Sequence, residues 1–212
     1  MKRIVLLFML LLSVLYTKAS EQQDTLQNKL LIAYEIHKAD WVNIDAMSST
    51  KGISACYMRN YVVGPRYCLA VEYGAKVTWL HGVKKSGAYD AYTDRVDYLN
   101  VSLPVNLTRS ISIGTSGVSL APFFGPNFKF NIVGKYRESF DGKKRDSVNY
   151  LSRDRKTPAS IFQFGMNVGV GFYYKQFVVA YTFQPDFTDY VKDDMECCKH
   201  TNTNSFSVGV RF

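Results

Sequence analysis

The residues of this chain best suited to proton transfer or metal binding are its three histidines, His37, His81 and His200. With a serine and a carboxylate a histidine could form a hydrolase triad, and with other ligands it could hold a metal ion. Nothing in their spacing selects either arrangement, because each lies near a strand end or in a polar loop. Cys197 and Cys198 beside His200 fall short of the four ligands of a structural zinc site. We therefore predict no enzyme, no catalytic residue, no metal site and no cofactor.

Charged residues also fall on the polar faces of predicted strands. They are Glu35, Glu72, Lys76, Lys129 and Arg211. They could line a selective pore, or they could form ion pairs that fill a narrow interior. We favour ion pairs, because a barrel of eight strands, the number of alternating segments in this chain, has an interior just wide enough for side chains. The sequence therefore predicts negligible ion conductance.

Three adjacent cations, Lys143-Lys144-Arg145, lie in a predicted loop at 134–160. That loop carries eight basic and four acidic residues, whereas the loop at 186–204 carries five acidic and two basic residues. Two solvated loops would explain these biases, because exposed ion pairs contribute only about 0–1 kcal/mol each. Alternatively, the loops dock at the barrel mouth, and the three cations bind phosphate or carboxylate groups with a strong dependence on salt.

Gly169 and Gly171 resemble part of a nucleotide-binding glycine pattern. No helix follows them, so that interpretation lacks its structural context. We predict that they are small inward residues of a strand, which admit larger neighbours across the interior.

The element that positions these glycines is the segment 161–172. Even-numbered residues from Phe162 to Phe172 are apolar, and the odd-numbered ones between them are Gln, Gly and Asn. This period of two is that of a strand, and about eleven residues suffice for a tilted strand to cross a bilayer. We predict an apolar face toward lipid, where Val168→Arg is costly, and a polar face where Asn167→Ser is mild.

Other segments alternate in the same way. With 161–172 they are 29–37, 53–61, 68–79, 99–107, 120–132, 177–183 and 205–212. The second has the least secure register because Arg59 falls on its apolar face. Pro104 cannot donate a ladder hydrogen bond, so a bulge or a local break in pairing is expected there.

The connections between these segments alternate long, short, long, short, long, short, long. Outer-membrane barrels have short periplasmic turns and longer external loops, and bacterial ones have an even number of strands. The sequence therefore predicts an all-β fold, an eight-stranded antiparallel up-and-down transmembrane β-barrel. The aromatic content of 15% suits the interfacial girdles of such barrels.

The beginning of the chain has the pattern of an export signal. Lys2 and Arg3 precede an apolar run at 4–15, and Ala19 ends a plausible cleavage site. We predict a cleaved signal peptide at 1–19, a short periplasmic leader at 20–28, and a barrel at 29–212 in the cell outer membrane. Without 1–19 the chain has 23 basic and 18 acidic residues. This excess of basic residues is too small to indicate nucleic-acid binding.

Four cysteines in an exported chain make disulfides conceivable. A turn centred on Gly64-Pro65 would put Cys68 opposite Tyr61, roughly 17 Å along the strand from Cys56. No Cys56–Cys68 bond is therefore predicted. The sequence does not decide the state of Cys197 and Cys198.

Several short motifs follow one another along the chain: YLNVSLPVNL, LAPFFGPNFKF, FGMNVGVGFYY, AYTF and finally SFSVGVRF. In this order and spacing, over about residues 29–212, the chain resembles the outer membrane protein β-barrel domain family, also called PorT-like. The resemblance implies an eight-stranded outer-membrane barrel in which Phe212 is the signal read by the barrel-assembly machinery. It supplies no shared catalytic residues. One relative is similar to an accessory factor of a protein secretion system.

These observations predict a non-enzymatic integral outer-membrane barrel with a side-chain-filled lumen. Its role would be structural, or it would bind a partner or ligand through its external loops. The alternatives are an accessory component of a protein secretion system and a transport barrel with a narrow lumen. Expected partners are outer-membrane lipid, lipopolysaccharide, the assembly machinery and an envelope or secretion protein. We expect a monomer.

Overall fold

The computed structural model describes residues 26–39, 49–64, 69–86, 92–114, 117–149, 151, 160–188 and 200–212. These residues form strands and turns. None of the described residues belongs to a helix that could cross a membrane. The predicted signal peptide lies outside the described residues, as do Cys68, Cys197 and Cys198.

Ten strands make up the described part of the chain. They are β1 (Leu26–Ala39), β2 (Ser49–Gly64), β3 (Leu69–Ser86), β4 (Tyr92–Arg109), β5 (Ile111–Ile113), β6 (Val118–Phe140), β7 (Lys143–Asn149), β8 (Phe162–Tyr174), β9 (Phe177–Pro185) and β10 (Thr201–Arg211). β1 begins at Leu26, so the last three residues of the predicted leader belong to the barrel. Their backbone pairs with β2, from Leu26 opposite Tyr61.

Eight of these strands close into a barrel. Their order is β4-β3-β2-β1-β10-β9-β8-β6, and pairing between β4 and β6 completes the ring. Neighbouring strands are antiparallel throughout. β5 continues the line of β4 beside β6, and β7 pairs only with the far end of β6. The predicted eight-stranded up-and-down barrel is confirmed.

The two ends of the barrel differ. At one end, which we name the turn end, the chain reverses between β2 and β3, between β5 and β6, and between β8 and β9, and Lys29 of β1 lies opposite Arg211 of β10. The turn between β8 and β9 is Lys175-Gln176, with Lys175 at φ 51°. The longer connections lie at the opposite end, the loop end, as the alternation of loop lengths predicts.

The exterior is apolar and the interior is largely polar. Along β8, Val168 and Phe172 are exposed, whereas Gln163 and Asn167 are buried. Exposed apolar side chains on the other strands include Ile32, Ile53, Val77, Trp79, Phe124, Ile132, Val179 and Val208. A barrel in water has the reverse arrangement, so this one matches a barrel surrounded by lipid.

Two predicted loops are in fact extended hairpins. β3 and β4 continue their pairing to Ser86 opposite Tyr92, in the segment between the predicted strands 68–79 and 99–107. β6 continues to Phe140, turns at Asp141-Gly142 and returns as β7, inside the predicted loop 134–160. Charged residues such as Asp97 and Arg95 continue the exterior face there, so the alternation that revealed the strands disappears while the backbone ladder continues.

The sequence pair Asp141-Gly142 indicates a hairpin turn, although the prediction placed it in a loop. Both residues have positive φ, 47° and 73°. Asp-Gly is a favoured pair for two-residue hairpin turns because such turns need positive φ at both central positions. The three cations Lys143-Lys144-Arg145 therefore begin a strand.

Pairing breaks around Pro104, as predicted. β3 and β4 pair from Lys76 opposite Ser102 and again from Tyr73 opposite Val105, with no pair recorded between. The same segment of β4 loses pairing with β6 after Pro104 opposite Asn127. The register does not shift, because the missing proline donor interrupts the ladder without adding a residue.

The register of β2 against β3 differs from that of a turn centred on Gly64-Pro65. Tyr61 lies opposite Val71, three residues beyond Cys68, with a bulge between Val62 and Gly64. This register keeps apolar residues of both strands on the exterior, because directly opposite residues share a face. Cys56 is a free, buried thiol.

The two glycines of β8 accommodate aromatic rings. A Cβ at Gly169 would collide with the ring of Phe123, and one at Gly171 would lie 2.9 Å from Cε2 of Tyr173. The two glycines do make room for larger side chains, but these come from the adjacent strand β6 and from β8 itself, not from across the interior as predicted. Tyr173 belongs to a small apolar cluster inside the barrel, with Leu31, Cys56, Met58, Ala121 and Val178.

Candidate functional site

Three buried ion pairs lie inside the barrel. Lys29 Nζ lies 2.6 Å from Glu72 Oε1, Lys76 Nζ lies 3.4 Å from Glu35 Oε1, and Lys129 Nζ lies 2.5 Å from Asp186 Oδ2. All six side chains are buried. Three ammonium groups therefore face three carboxylates, and the charges of these six residues balance one another.

The central pair belongs to a hydrogen-bonded network. Glu35 Oε1 accepts hydrogen bonds from Ser54 and Ser205, the latter at 3.1 Å. Lys76 also donates to Gln184 Oε1 at 2.7 Å. Gln184 Nε2 donates onward to Asn167 Oδ1 at 2.8 Å, whose Nδ2 donates to Asn106 at 3.0 Å. These residues come from seven strands, so the network ties opposite walls of the barrel together.

The pair nearest the loop end is built the same way. Lys129 of β6 reaches Asp186, which follows the last residue of β9 and bridges to Gly165. Asp186 Oδ2 also accepts from Thr201, whose hydroxyl accepts a hydrogen bond from Gln163 at 3.2 Å. Gln163 in turn accepts from Asn131 at 3.1 Å. The network links the strands β6, β8 and β10 with the residue that follows β9.

Sequence reasoning named four of the six paired charges and missed Lys29 and Asp186. Each missed residue continues an inward-facing series: Lys29 precedes Leu31 and Ala33, and Asp186 follows Gln184. The alternation of inward-facing and outward-facing residues, with a period of two, extends to both positions. Lys29 is the first residue of its predicted strand, and Asp186 follows Pro185 in a predicted loop. Neither was therefore predicted to be a lumen charge. Arg211, the fifth predicted charge, lies at the turn end without a carboxylate within 4.0 Å among the described residues.

The cavity in the middle of the barrel is small. A cavity of about 50 Å³ lies among Lys29, Cys56, Glu72, Lys76 and Tyr173. One water needs about 10–15 Å³ of such space, so the cavity suits a few waters and no larger solute.

The three histidines have different surroundings in the described structure. His37 lies near the end of β1, as predicted, but it is buried, and its Nδ1 lies 2.9 Å from Thr203 Oγ1. His81 Nδ1 lies 2.7 Å from Asp97 Oδ1 in the β3–β4 hairpin, and His200 is exposed. The described residues contain no group of three or more His, Cys, Asp and Glu side chains that could hold a metal ion.

The cations at the start of β7 border a groove at the loop end. It has a volume of about 490 Å³ and is lined by Tyr92, Phe140, Asp141, Lys143, Lys144 and Arg145. The rings of Tyr92 and Phe140 pack at 4.7 Å between centroids, and Arg145 lies 5.9 Å above Tyr92. Arg145 also lies 3.4 Å from Glu138.

Lys143 and Lys144 differ from Arg145 in their surroundings. Within the described ranges neither ammonium group has a carboxylate within 4.0 Å. Both are exposed. The groove therefore combines an aromatic wall with two uncompensated cations, a chemistry suited to a ligand with ring surfaces and anionic groups.

Comparison with solved structures places this fold among outer-membrane barrels. Ail, the attachment invasion locus protein of Yersinia pestis, solved in complex with the heparin analogue sucrose octasulfate, matches 89% of this chain and 100% of its own, with TM-score 0.52 and 14% identity. A major outer membrane protein of Thermus thermophilus matches 87% of this chain and 99% of its own, with TM-score 0.47 and 12% identity. For Neisserial surface protein A the shares are 89% and 96%, with TM-score 0.43 and 11% identity.

No protein family and no curated protein matches the sequence. The PorT-like resemblance therefore stays a prediction. At 14% identity the likeness to Ail concerns the fold alone. The chain is similar in fold to small outer-membrane proteins, as an eight-stranded antiparallel up-and-down β-barrel.

Proposed function

We propose that the protein is a non-enzymatic outer-membrane barrel that binds an anionic partner through its β6–β7 hairpin. The apolar exterior supports membrane insertion, because exposed side chains such as Ile53, Val179 and Val208 would be unfavourable in water over so wide a belt. The longer connections lie at one end, which in outer-membrane barrels is the external end.

The observation that carries the binding role is the pair of exposed ammonium groups beside the Tyr92–Phe140 wall. From Lys135 to Asn149 the hairpin carries five cations against three carboxylates. Exposed charges of one sign raise the local concentration of counter-charged ligands and their association rates, and salt weakens both effects. Sulfated or phosphorylated saccharides, including lipopolysaccharide, combine the anionic groups and ring surfaces that this groove suits.

The packed lumen argues against the transport alternative. Three buried ion pairs and their hydrogen bonds lie inside the barrel, and a solute would have to displace them. The same burial disfavours acid–base catalysis, since these charges neutralise one another in pairs. An accessory role in secretion rests on the family resemblance alone and stays a prediction, as do the monomeric state and the assembly role of Phe212.

Replacing Lys143, Lys144 and Arg145 together by serine should abolish saturable binding of sucrose octasulfate and of purified lipopolysaccharide. The physical reason is the loss of all three cations beside the aromatic wall. Binding of both probes to the protein in detergent micelles is measured by calorimetry at low and physiological ionic strength. For the unmodified protein the affinity should fall steeply with salt.

The matched control replaces Lys51, Lys84 and Lys85 by serine, which removes the same charge from β2 and β3 at the same end. That variant should keep the affinity of the unmodified protein. Equal losses in both variants would show that net charge alone attracts the probes. Unchanged binding in the hairpin variant would show that the hairpin is solvent-exposed and does not bind these probes.

A further inference from the structure

A second cavity occupies the turn end of the barrel, opposite the hairpin. Its volume is about 320 Å³, and its lining includes Lys29, Asn60, Glu72, Tyr173 and Arg211. Small-molecule sites start at about 300 Å³, so this space is large enough for a small organic molecule. Ser110, which also lines it, is exposed, so the cavity opens to solvent.

The floor of this cavity is a fixed polar cluster. Lys29 donates hydrogen bonds to Glu72 Oε1 at 2.6 Å and to the hydroxyl of Tyr173 at 2.9 Å. The same three residues line the inner cavity of about 50 Å³, so they separate it from the turn end. A ligand entering from the turn end would stop against them.

The charges of this cavity are unbalanced. Lys29 and Arg211 lie directly opposite each other in the β1–β10 pairing, and both lie over the ring of Tyr173, at 5.5 and 5.4 Å. Like charges directly opposite across a ladder are destabilising. Glu72 compensates Lys29, but no carboxylate of the described residues lies within 4.0 Å of Arg211.

The position of Arg211 leaves its terminal nitrogens, Nη1 and Nη2, available for hydrogen bonds to a ligand. Its Nε donates to the carbonyl of Lys175 at 2.7 Å, and the Tyr173 ring supports its plane. In the part of the chain that the structure describes, the terminal amino groups of Arg211 have no acceptor. A guanidinium fixed in this way presents paired donors that match the two oxygens of a carboxylate or phosphate.

The remaining wall is apolar and suits a hydrocarbon or aromatic body. It is formed by Val62, Leu69, Ala70 and Ala121. Asn60 adds a polar contact, because its Oδ1 is buried without a hydrogen-bond donor among the described residues. The cavity thus has one cationic side, one apolar side and one unsatisfied acceptor.

We propose that the turn-end cavity binds a small organic anion, with its carboxylate or phosphate on Arg211 and its apolar body against the wall of β2, β3 and β6. The anion removes the imbalance between Lys29 and Arg211. Because this end carries the short turns, the ligand reaches it from the periplasmic side. The site is independent of the hairpin function at the opposite end.

The test uses the protein in detergent micelles and saturation-transfer difference NMR with benzoate, phenyl phosphate and the neutral benzamide. Both anions should bind saturably and benzamide should not. Arg211→Gln should weaken anion binding about tenfold or more, because it removes a charge-assisted, bidentate contact. Arg109→Gln, which removes an exposed cation at the same end, should leave the affinity unchanged.

Val62→Glu provides a second variant that leaves Arg211 in place. It adds a carboxylate to the cavity lining and should abolish binding of both anions by supplying the missing counter-charge. Folding of each variant is checked by its heat-dependent electrophoretic shift. Equal binding of benzamide and benzoate, the absence of saturable anion binding, or unchanged affinity in a folded Arg211→Gln or Val62→Glu variant would overturn the proposal.

Discussion

Replacing Glu35 by alanine is expected to lower the free energy of unfolding by about 3–5 kcal/mol, since removing one partner leaves the other as an uncompensated buried charge. Glu35 is fully buried and accepts hydrogen bonds from Ser54, Ser205 and Lys76. After its removal Lys76 would retain Gln184, a neutral acceptor. Reversible urea unfolding in lipid vesicles measures the loss.

Two comparisons separate the buried charge from other effects of this substitution. Glu138→Ala removes a carboxylate whose partner, Arg145, is exposed, and it should cost only about 0–1 kcal/mol. The double variant Glu35→Met with Lys76→Met should recover most of the loss, because hydrophobic residues of similar volume replace buried pairs well. A loss for Glu35→Ala no larger than that for Glu138→Ala would contradict the packed-lumen account.

Val168→Arg is expected to lower the free energy of unfolding by about 2–4 kcal/mol, the cost of a cation at the middle of the lipid face. Val168 is the central residue of β8, which has 13 residues, and it is 46% exposed on the exterior. Its neighbours across the ladder, Phe124 and Phe183, are also exposed and apolar. Unfolding from vesicles is again the measurement.

The matched control is Tyr174→Arg, on the same face of the same strand at the turn end. An arginine there can reach the interface, so the cost should be about 0–1 kcal/mol. Costs that do not depend on depth would show that no lipid surrounds this face.

The two faces of each strand were predictable because burial follows a period of two. Val168 and Gln163 lie as predicted, and Arg59 is exposed on β2, so it did not disturb the register. The strand lengths were less predictable. Near the loop end charged residues take over the exterior face, as Asp97 and Arg95 do on β4, and the hairpins of β3–β4 and β6–β7 then lack the hydrophobic pattern of a membrane strand.

The partners inside the lumen were the least predictable feature. Lys76 of β3 pairs with Glu35 of β1, two strands away, and Lys129 of β6 pairs with Asp186 beyond β9. Such contacts depend on barrel closure and on the register of every strand between, which one sequence does not contain. Asn167 shows the consequence: a mild effect was expected for Asn167→Ser, but Asn167 bonds both Gln184 and Asn106. It is therefore a poor neutral control.

The central claim is that this chain is an integral outer-membrane barrel with a packed polar lumen. Membrane fractionation with a high-pH wash, followed by electrophoresis of heated and unheated samples, tests it most directly. We predict that the protein stays in the outer-membrane fraction without detergent and that heating changes its electrophoretic mobility, because the closed barrel survives until boiled. Release at high pH without detergent, together with identical mobility before and after heating, would contradict the claim.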